Sequence, residues 1–290
     1  MRKAAVLGLA IAAAGCGSPA KLTESQEYYV GRGVAANAVL QTQGFVQHEE
    51  LESYVNLVGQ TIALESERPE TYQGYHFGVL KSDLVNAFCA PGGFVFVTTG
   101  ALRKMENEDE LAGVLAHEIA HVNLRHPEEF ANRETQKSGV MDILAKGGHL
   151  AEVGGGVAST VFGALGKPRE AEAVAKVSEN LAKVVKAFGG VLDSYLQEIM
   201  VNGYGRDSEL AADALAVDLL TRPGVRYDPS ALKAFVSRLP PAKRGAWSTH
   251  PDLEGRGENI DRKIKERGVR SSVDPARSAR FKAMTAFLGQ

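Results

Sequence analysis

The sequence predicts an α+β fold that is mainly helical and contains one small sheet. Over most of the chain, apolar residues recur every three or four positions, which indicates helices. Only two short stretches, residues 75–80 and 94–99, are rich in the β-branched and aromatic side chains that favour strands. A chain of 290 residues with 44% hydrophobic side chains can bury a substantial core, in one large domain or two small ones. We expect one domain over residues 22–270.

The first 21 residues are predicted to lie outside this domain. Arg2 and Lys3 precede an apolar run over residues 4–14, which is too short to span a bilayer and is typical of a secretory signal. The run ends before Cys16 in a sequence similar to a bacterial lipobox, Ala-Ala-Gly-Cys. We therefore expect a signal peptide over residues 1–15 and a lipid on Cys16, followed by a tether to residue 21; the alternatives are an ordinary cleaved signal and a short anchor.

Composition gives no sign of nucleic-acid binding and bears on whether the chain can form a disulfide. The net charge is −2, so there is no basic excess that would indicate a nucleic-acid-binding protein. If Cys16 carries a lipid, Cys89 is the only remaining thiol, which excludes an internal disulfide and favours a small buried side chain over a metal ligand. No stretch after the signal has 18 apolar residues, so we expect no transmembrane helix in the mature chain.

The first half of the domain is predicted to contain two helices followed by two strands. Thr23 and Gln26 can form a capping box for a helix that ends near residue 41. A second helix is expected over residues 49–65, because its apolar residues fall on one face. The strands are expected over residues 75–80 and 94–99, and residues 86–93 between them read as a turn-rich bend.

After residue 126 the pattern is helical to about residue 146, and residues 147–167 are then rich in glycine. This glycine-rich segment is either a loosely packed loop or a mobile flap near a cleft. Further helices are expected over residues 169–188, 191–202, 206–217, 229–239 and 259–267. Residues 271–290 are expected to form a peripheral tail with a weak final helix.

Residues 111–124 read as one amphipathic helix, for which Asn107 and Glu110 provide a capping-box-like start. His117 and His121 lie four residues apart, so both imidazoles project from one face of this helix and can bind one metal ion. Glu118 lies on the adjoining flank, where it can act as a base on water without becoming a ligand. This is the H-E-x-x-H arrangement of zinc peptidases, although a pattern of five residues also arises by chance.

Glu209 and Asp213 complete a candidate site for one zinc ion per chain. They lie four residues apart on a largely apolar helix, where two acids are costly to bury without a cation; the alternative is a solvated helix face. A catalytic zinc ion uses three protein ligands and keeps one position open for water, so Glu209 is the predicted third ligand. Asp213 is one turn further on, where it can accept the distal N–H of a ligand imidazole.

With these residues the sequence resembles the HtpX and CAAX prenyl endopeptidase family of zinc metallopeptidases. The family pattern occurs here in order, and its positions correspond to Asn86-Ala87-Phe88, Pro91-Gly92-Gly93, Thr99-Gly100, His117-Glu118-x-x-His121, Tyr204-x-Arg206-x-x-Glu209-x-x-x-Asp213 and His250-Pro251. The chain departs from the membrane-bound members in lacking their transmembrane helices, and Gly257 replaces the usual aliphatic residue after Arg256.

The resemblance implies a gluzincin fold with a small sheet above the active-site helix. It also implies that residues 94–99 form an edge strand that pairs with an extended substrate. The expected substrate-binding residues are Asn86, Phe94, Val95, Phe96 and Val97. Arg206 is expected next to the ligands. For His250 we favour an oxyanion donor; the alternatives are an inhibitory fourth zinc ligand and a histidine that only caps a turn.

The exported, periplasmic branch of that family is the most similar, and this implies a function. We expect a lipid-anchored zinc endopeptidase of the bacterial envelope, on the periplasmic side of the outer rather than the inner membrane. Its substrates would be unfolded or misassembled proteins. One alternative is a chaperone-like assembly factor with little proteolysis, although the chain has none of the C-terminal helical repeats found in some members. A second alternative is a secreted zinc peptidase with a specific peptide substrate.

Overall fold

The computed structural model describes residues 22–137, 189–190, 193–197, 199, 203–239, 253–269, 271 and 274–289. The expected signal peptide and lipid anchor, the glycine-rich segment over residues 147–167, the helix over residues 169–188 and His250 lie outside these residues. Within the described parts of the chain, no helix is both long enough and apolar enough to cross a membrane.

Two helices begin the fold, as predicted. Helix α1 spans Glu24–Gln41 and begins with the capping box of Thr23 and Gln26, which is confirmed. Helix α2 spans Glu49–Leu64, and the side chain of His48 accepts a hydrogen bond from the backbone N–H of Leu51 at its start. The predicted apolar face of α2 is buried: Leu51, Val55, Val58 and Ile62.

The sheet has three strands, one more than the sequence predicted. They are β1 (His76–Leu80), β2 (Ala87–Ala90) and β3 (Phe94–Thr98), in the spatial order β1–β3–β2. The prediction of a turn-rich bend over residues 86–93 is therefore wrong for residues 87–90, which form β2. The four residues of β2 have weak strand propensity of their own, and antiparallel pairing with β3 together with complete burial overrides it.

Strand β3 lies in the centre of the sheet, so the prediction that residues 94–99 form an edge strand is wrong. One side of β3 pairs in parallel with β1, and the other pairs antiparallel with β2. Both rows of backbone hydrogen-bonding groups are thus used within the sheet. Among the described strands, β1 and β2 are the edges, and β2 is the one that packs most closely against the helix that contains His117 and His121.

The turn between β2 and β3 depends on glycine. Gly92 and Gly93 have φ angles of 75° and 89°, in the left-handed region that favours glycine. Helix α1 packs directly on this turn, because a Cβ atom at Gly31 would lie 1.8 Å from the carbonyl oxygen of Pro91. The Pro-Gly-Gly element of the sequence therefore provides both the reversal of the chain and a docking point for α1.

Helices make up the rest of the described chain. Residues 189–190, 193–197 and 199 are helical, which agrees with the helix expected over residues 191–202. The other helices are α3 (Thr99–Lys104), α4 (Glu108–Asn123), α5 (His126–Lys137), α6 (Arg206–Leu220), α7 (Ser230–Arg238), α8 (Leu253–Arg267) and α9 (Pro275–Thr285), and the 3-10 turn Ala286–Leu288 follows α9. This mainly helical α+β architecture confirms the predicted fold class.

Helix α4 runs through the middle of the molecule. Asn107 caps its start as predicted, but the carboxylate of Glu110 accepts a hydrogen bond from the backbone N–H of Glu106, one residue before the cap. Every residue from Glu108 to Val122 is buried, so the expected amphipathic helix with one inward stripe is instead enclosed on all sides. Its polar residues are buried because each belongs to a charge-paired group or to the candidate site.

The sheet separates two hydrophobic cores, and alternate residues of β3 point into each. Val95 and Val97 face the larger core, which α2, α4, α6 and α7 complete. Phe94 and Phe96 face the smaller core, where α1 packs with Phe130 of α5. The sheet is thus covered by helices on both faces, and α4 lies on the face of the larger core.

The C-terminal segment is packed into the domain, which corrects the expectation of a peripheral tail. Helix α9 buries Phe281 completely in the larger core. Arg277 and Arg280 of the same helix bind the buried acids Asp109 and Glu108 at the start of α4. The attachment of α9 therefore combines the buried ring of Phe281, the partly buried side chain of Met284 and two arginines.

Candidate metal centre

Helices α4 and α6 pack together and bring three buried metal-ligating groups to one point. The Nε2 atoms of His117 and His121 lie 3.0 Å apart. Glu209 of α6 faces both rings: its Oε2 lies 3.3 Å from Nε2 of His117, and its Oε1 lies 3.4 Å from Nε2 of His121. These are the three residues that the sequence suggested, and among the described residues they are the group with the spacing to hold a metal ion.

The donor set fits zinc. Two imidazole nitrogens and one carboxylate oxygen form a typical catalytic zinc site with one position left for water. Ligand atoms about 2.0–2.1 Å from a tetrahedral ion lie about 3.3 Å from one another, since tetrahedral geometry fixes that ratio. The separation of 3.3 Å between Oε2 of Glu209 and Nε2 of His117 agrees with this value, and the separation of 3.0 Å between the two histidines is slightly shorter. The other oxygen of Glu209, Oε1, lies 3.4 Å from Nε2 of His121.

Asp213 fixes the orientation of the first histidine. Its Oδ1 lies 2.9 Å from Nδ1 of His117, on the opposite side of the ring from the ligand nitrogen. A proton on Nδ1 makes that hydrogen bond, and the lone pair of Nε2 is then directed at the metal position. One turn of α6 separates Asp213 from Glu209, so the same helix carries a candidate ligand and a residue that can orient another.

Arg256 of α8 is a part of the site that the sequence analysis missed. Its Nε and Nη2 atoms bind the two oxygens of Asp213 at 2.8 and 2.7 Å, and its Nη1 lies 3.4 Å from Oε2 of Glu209. Arg256 is fully buried. By contrast, Arg206, the arginine expected beside the ligands, lies exposed at the first residue of α6. The cost of burying two acids was itself the signal that a buried cation must be nearby.

The charges around the site shift the pKa values of its groups in opposite directions. Burial acts to raise the pKa of Asp213, but the guanidinium of Arg256 outweighs it and holds that pKa below its usual range. Burial and Arg256 act to lower the pKa of His117, and hydrogen bonds to Asp213 and Glu209 outweigh them and raise it. Burial lowers the pKa of His121, which favours the neutral ring that binds metal.

His126 is a third histidine, and it lies beside the candidate ligands. The sequence predicted only that a helix follows it, and no role for its side chain. Its Nδ1 lies 2.8 Å from Nδ1 of His121. The ring of Tyr204 covers both histidines, with ring centroids 4.4 Å from His121 and 5.8 Å from His126. Burial and the neighbouring His121 lower the pKa of His126 to about 4, so this ring is neutral at neutral pH.

Glu118 lies on α4 between the two histidines and is fully buried. Its neighbour is Cys89 of β2, and burial together with the Glu118 carboxylate raises the pKa of the Cys89 thiol. Cys89 is thus the small buried side chain that its surroundings in the sequence predicted. Its carbonyl oxygen accepts hydrogen bonds from the hydroxyls of Tyr195 and Tyr204, at 3.0 and 3.2 Å.

Four of the five expected substrate-binding residues do not lie on an edge strand, as the resemblance implied. Phe94, Val95, Phe96 and Val97 are buried in the central strand, where their backbone groups pair with β1 and β2. Asn86 is buried next to β2, and its backbone N–H donates a hydrogen bond to Oγ1 of Thr98. An extended peptide therefore has no free edge on β3. Contact between a substrate and Asn86 stays a prediction.

Comparison with known proteins agrees with this geometry. The sequence profile of peptidase family M48 matches residues 49–264. The chain is similar to the beta-barrel assembly-enhancing protease of Yersinia pestis, with 28% identity over 189 residues (65% of this chain and 32% of the relative). Its identity to the protein of the same name in Escherichia coli K12 is 27% over 233 residues, or 77% of this chain and 42% of the relative.

The chain is also 30% identical over 197 residues to the mitochondrial metalloendopeptidase OMA1 of Bos taurus, which is 65% of this chain and 32% of the relative. It thus spans about a third to two fifths of the length of these relatives. The matched region contains α4 and α6, and with them all three candidate ligands and Glu118. On this evidence the chain belongs to peptidase family M48.

Proposed function

We propose that this chain is a zinc-dependent endopeptidase that hydrolyses unfolded or misassembled proteins of the bacterial cell envelope. It binds one zinc ion through His117, His121 and Glu209. It is held on the periplasmic side of the outer membrane by a lipid on Cys16. The names of the bacterial relatives, which refer to β-barrel assembly, support a role in the envelope.

The observation that carries the proposal is the convergence of three buried ligand atoms beside a buried glutamate. The ligand atoms of His117, His121 and Glu209 lie 3.0–3.4 Å apart, and Glu118 is the residue next to His117 on the same helix. A zinc ion held by these three residues would supply a Lewis acid that makes a nearby water easier to deprotonate. A structural role for the metal alone would not require a carboxylate at the position of Glu118.

The residues of the chain have separate tasks in peptide hydrolysis. Glu118 takes a proton from the attacking water and returns it to the amine that leaves. Asp213 holds His117 in the tautomer that binds metal, and Arg256 compensates the charge of Asp213. His250 donates a hydrogen bond to the developing oxyanion, so His250→Ala should lower kcat by about 10²–10³ while zinc stays bound.

Glu118→Gln tests the catalytic role directly. The zinc-loaded wild-type chain should cleave an unfolded protein such as reduced, alkylated casein, and chelation of the metal should abolish the cleavage. The variant should keep its zinc, measured by elemental analysis, and lose at least about 10²–10⁴ in rate. Alanine substitution of His117, His121 or Glu209 should instead lower the zinc content. Full zinc occupancy in Glu209→Ala would remove Glu209 from the ligand set.

The same experiment separates proteolysis from an assembly role without hydrolysis. If the wild-type chain binds zinc and unfolded proteins but cleaves no faster than Glu118→Gln, the chaperone-like alternative is correct. If it cleaves only one peptide sequence in a substrate profile, the enzyme is a specific peptidase. Crosslinking of Glu118→Gln to proteins of the envelope then identifies the substrates.

Cys16→Ser tests the membrane anchor. The wild-type chain should fractionate with membranes and carry acyl chains on Cys16, and the variant should lose the lipid. An unmodified mature N-terminus in mass spectrometry would contradict the lipoprotein proposal. The matched control is Cys89→Ser, which should leave fractionation unchanged, because Cys89 is buried inside the domain.

A further inference from the structure

We propose that His126 is a positioning residue for the ligand His121: it accepts the Nδ1 proton of His121 and so holds the ring in the one neutral tautomer that binds the metal through Nε2. The inference rests on the proposed metal site. It concerns metal affinity, so it can fail or succeed independently of whether the chain hydrolyses proteins.

The contact is short and sits on the correct side of the ring. Nδ1 of His126 lies 2.8 Å from Nδ1 of His121, within hydrogen-bonding distance for two ring nitrogens. Nε2 of His121 is on the other side, 3.0 Å from Nε2 of His117 and 3.4 Å from Oε1 of Glu209. Each nitrogen of the His121 ring thus has a distinct environment: one faces the metal position and the other faces His126.

The assignment of the proton follows from metal binding. A neutral imidazole has one N–H and one lone pair, so a ring that binds metal through Nε2 must carry its proton on Nδ1. Nδ1 of His121 is then the donor, and Nδ1 of His126 must be the acceptor. The reverse arrangement would leave the proton of His121 on Nε2, where it would point at Glu209 and block coordination.

The backbone next to α4 places His126 for this role. Helix α4 ends at Asn123, and Arg125 then adopts a φ angle of 62°, in the left-handed region that is costly for a residue other than glycine. This single residue reverses the chain, so α5 begins at His126 directly beside His121. Arg125 is itself held, since its guanidinium binds the buried carboxyl group of Glu27 in α1. The contact with Glu27 thus holds the turn that positions His126.

The two ligand histidines therefore have different partners. His117 donates to a carboxylate, Asp213, whose charge is compensated by Arg256. His121 donates to a neutral imidazole that Tyr204 covers. A carboxylate acceptor makes its ligand more basic than a neutral acceptor does. His126 therefore contributes mainly the choice of tautomer and the ring orientation, and adds little to the basicity of His121.

The test compares two substitutions that differ in one property. His126→Asn keeps an acceptor, because Oδ1 of asparagine occupies about the position of Nδ1 of histidine. His126→Leu fills similar space without an acceptor. In the full chain, the dissociation constant for zinc, measured by chelator competition, should rise about 10–100-fold in His126→Leu and less than about 3-fold in His126→Asn. The thermal stability of the metal-free forms should be similar, which separates positioning from packing.

A measurement on the unsubstituted chain decides the question even if a variant fails to fold. In the zinc-loaded wild-type protein, ¹⁵N NMR should find the proton of His121 on Nδ1, slow to exchange with solvent, and Nδ1 of His126 without a proton. A proton on Nδ1 of His126, or equal zinc affinity in His126→Leu and the wild type, would overturn the proposal. An equal loss of affinity in both variants would also overturn it, because the acceptor would then not be what matters.

Discussion

The two halves of helix α4 both bury ionisable side chains. Those of the first half attach other helices, and those of the second half form the candidate metal site. The first turn carries Glu108, Asp109 and Glu110, which are all at most 3% exposed. The second half carries His117, Glu118 and His121, which are at most 1% exposed. In both halves the compensating groups come from elements far along the chain. In the first half these are arginines, and in the second half they are acids together with one arginine.

Each acid of the first turn has its own arginine. Both oxygens of Glu108 lie 2.5 Å from nitrogens of Arg280, and the hydroxyls of Tyr54 and Tyr227 also donate to this carboxylate. Asp109 binds Arg277 at 2.7 Å, and Glu110 binds Arg238 at 2.8 and 2.5 Å. The arginines belong to α7 and α9. The first half of α4 thus attaches C-terminal helices to the middle of the domain.

Stability and metal binding should therefore be separable along a single helix. Substitutions that disturb the first half, or the helices attached to it, should lower the free energy of unfolding and leave the affinity for zinc unchanged. Substitutions in the second half should change both.

Arg256→Met should have the largest effect, because it changes both properties. Removal of this buried cation leaves Asp213 and Glu209 uncompensated, which should cost about 3–5 kcal/mol in the free energy of unfolding. Affinity for zinc should also fall, since Asp213 no longer holds its geometry against His117. Urea denaturation and chelator competition measure the two effects. A loss of stability below about 1 kcal/mol would contradict the assigned role of Arg256.

Phe281→Ala should lower stability by about 3–5 kcal/mol and leave the affinity for zinc unchanged. Phe281 is fully buried in the larger core, so its removal leaves a cavity below α4 without touching a ligand. The matched control is Phe287→Ala in the adjacent turn, which is 48% exposed and should cost less than about 1 kcal/mol. Equal effects of the two substitutions would contradict the packing of the C-terminal segment and show that it is a peripheral tail.

Glu27→Gln should alter the pH dependence of stability at the far end of α4. Burial and the nearby Glu128, acting against Arg125 and Arg68, raise the pKa of Glu27 from 4.5 to about 7. Between these values the folded chain holds a proton that the unfolded chain releases, so stability from this group is present below pH 4.5 and is lost as pH rises towards 7. The full effect is about 3 kcal/mol.

Denaturation at several pH values measures this contribution. Glu27→Gln should lose less stability than the wild type between pH 4.5 and 7, because the amide cannot release a proton. Metal-free protein should be used throughout, so that titration of the ligand histidines does not enter through metal release. A wild-type chain that gains stability across this range, with no change in the variant, would show that Glu27 is charged in the folded state.

Arg280→Met should have the smallest effect, about 1–2 kcal/mol, with the affinity for zinc unchanged. Arg280 is half exposed, and Glu108 keeps its two tyrosine donors when the arginine is removed. The matched control is Arg262→Met, whose ion pair with Glu266 lies on the surface and should contribute at most about 0.5 kcal/mol. A fall in zinc affinity in Arg280→Met would show that the first half of α4 also affects metal binding.

Local features of the sequence were sufficient for much of the fold. The capping box of Thr23 and Gln26 predicted the start of α1, and the spacing of apolar residues predicted α2, α4 and α6. The candidate ligands follow from the same rule, since residues four apart on a helix share a face. These properties depend on neighbours within one or two turns, so the order of the residues along the chain determines them.

Tertiary structure decided which residues meet across long distances in the sequence. It made β3 central rather than an edge, because β2 becomes a strand only by pairing with it. It placed Arg256 rather than Arg206 against Asp213 and Glu209. It also attached α9 to the first turn of α4. None of these contacts has a local signal, because each forms only when separate elements pack and buried charges must find partners.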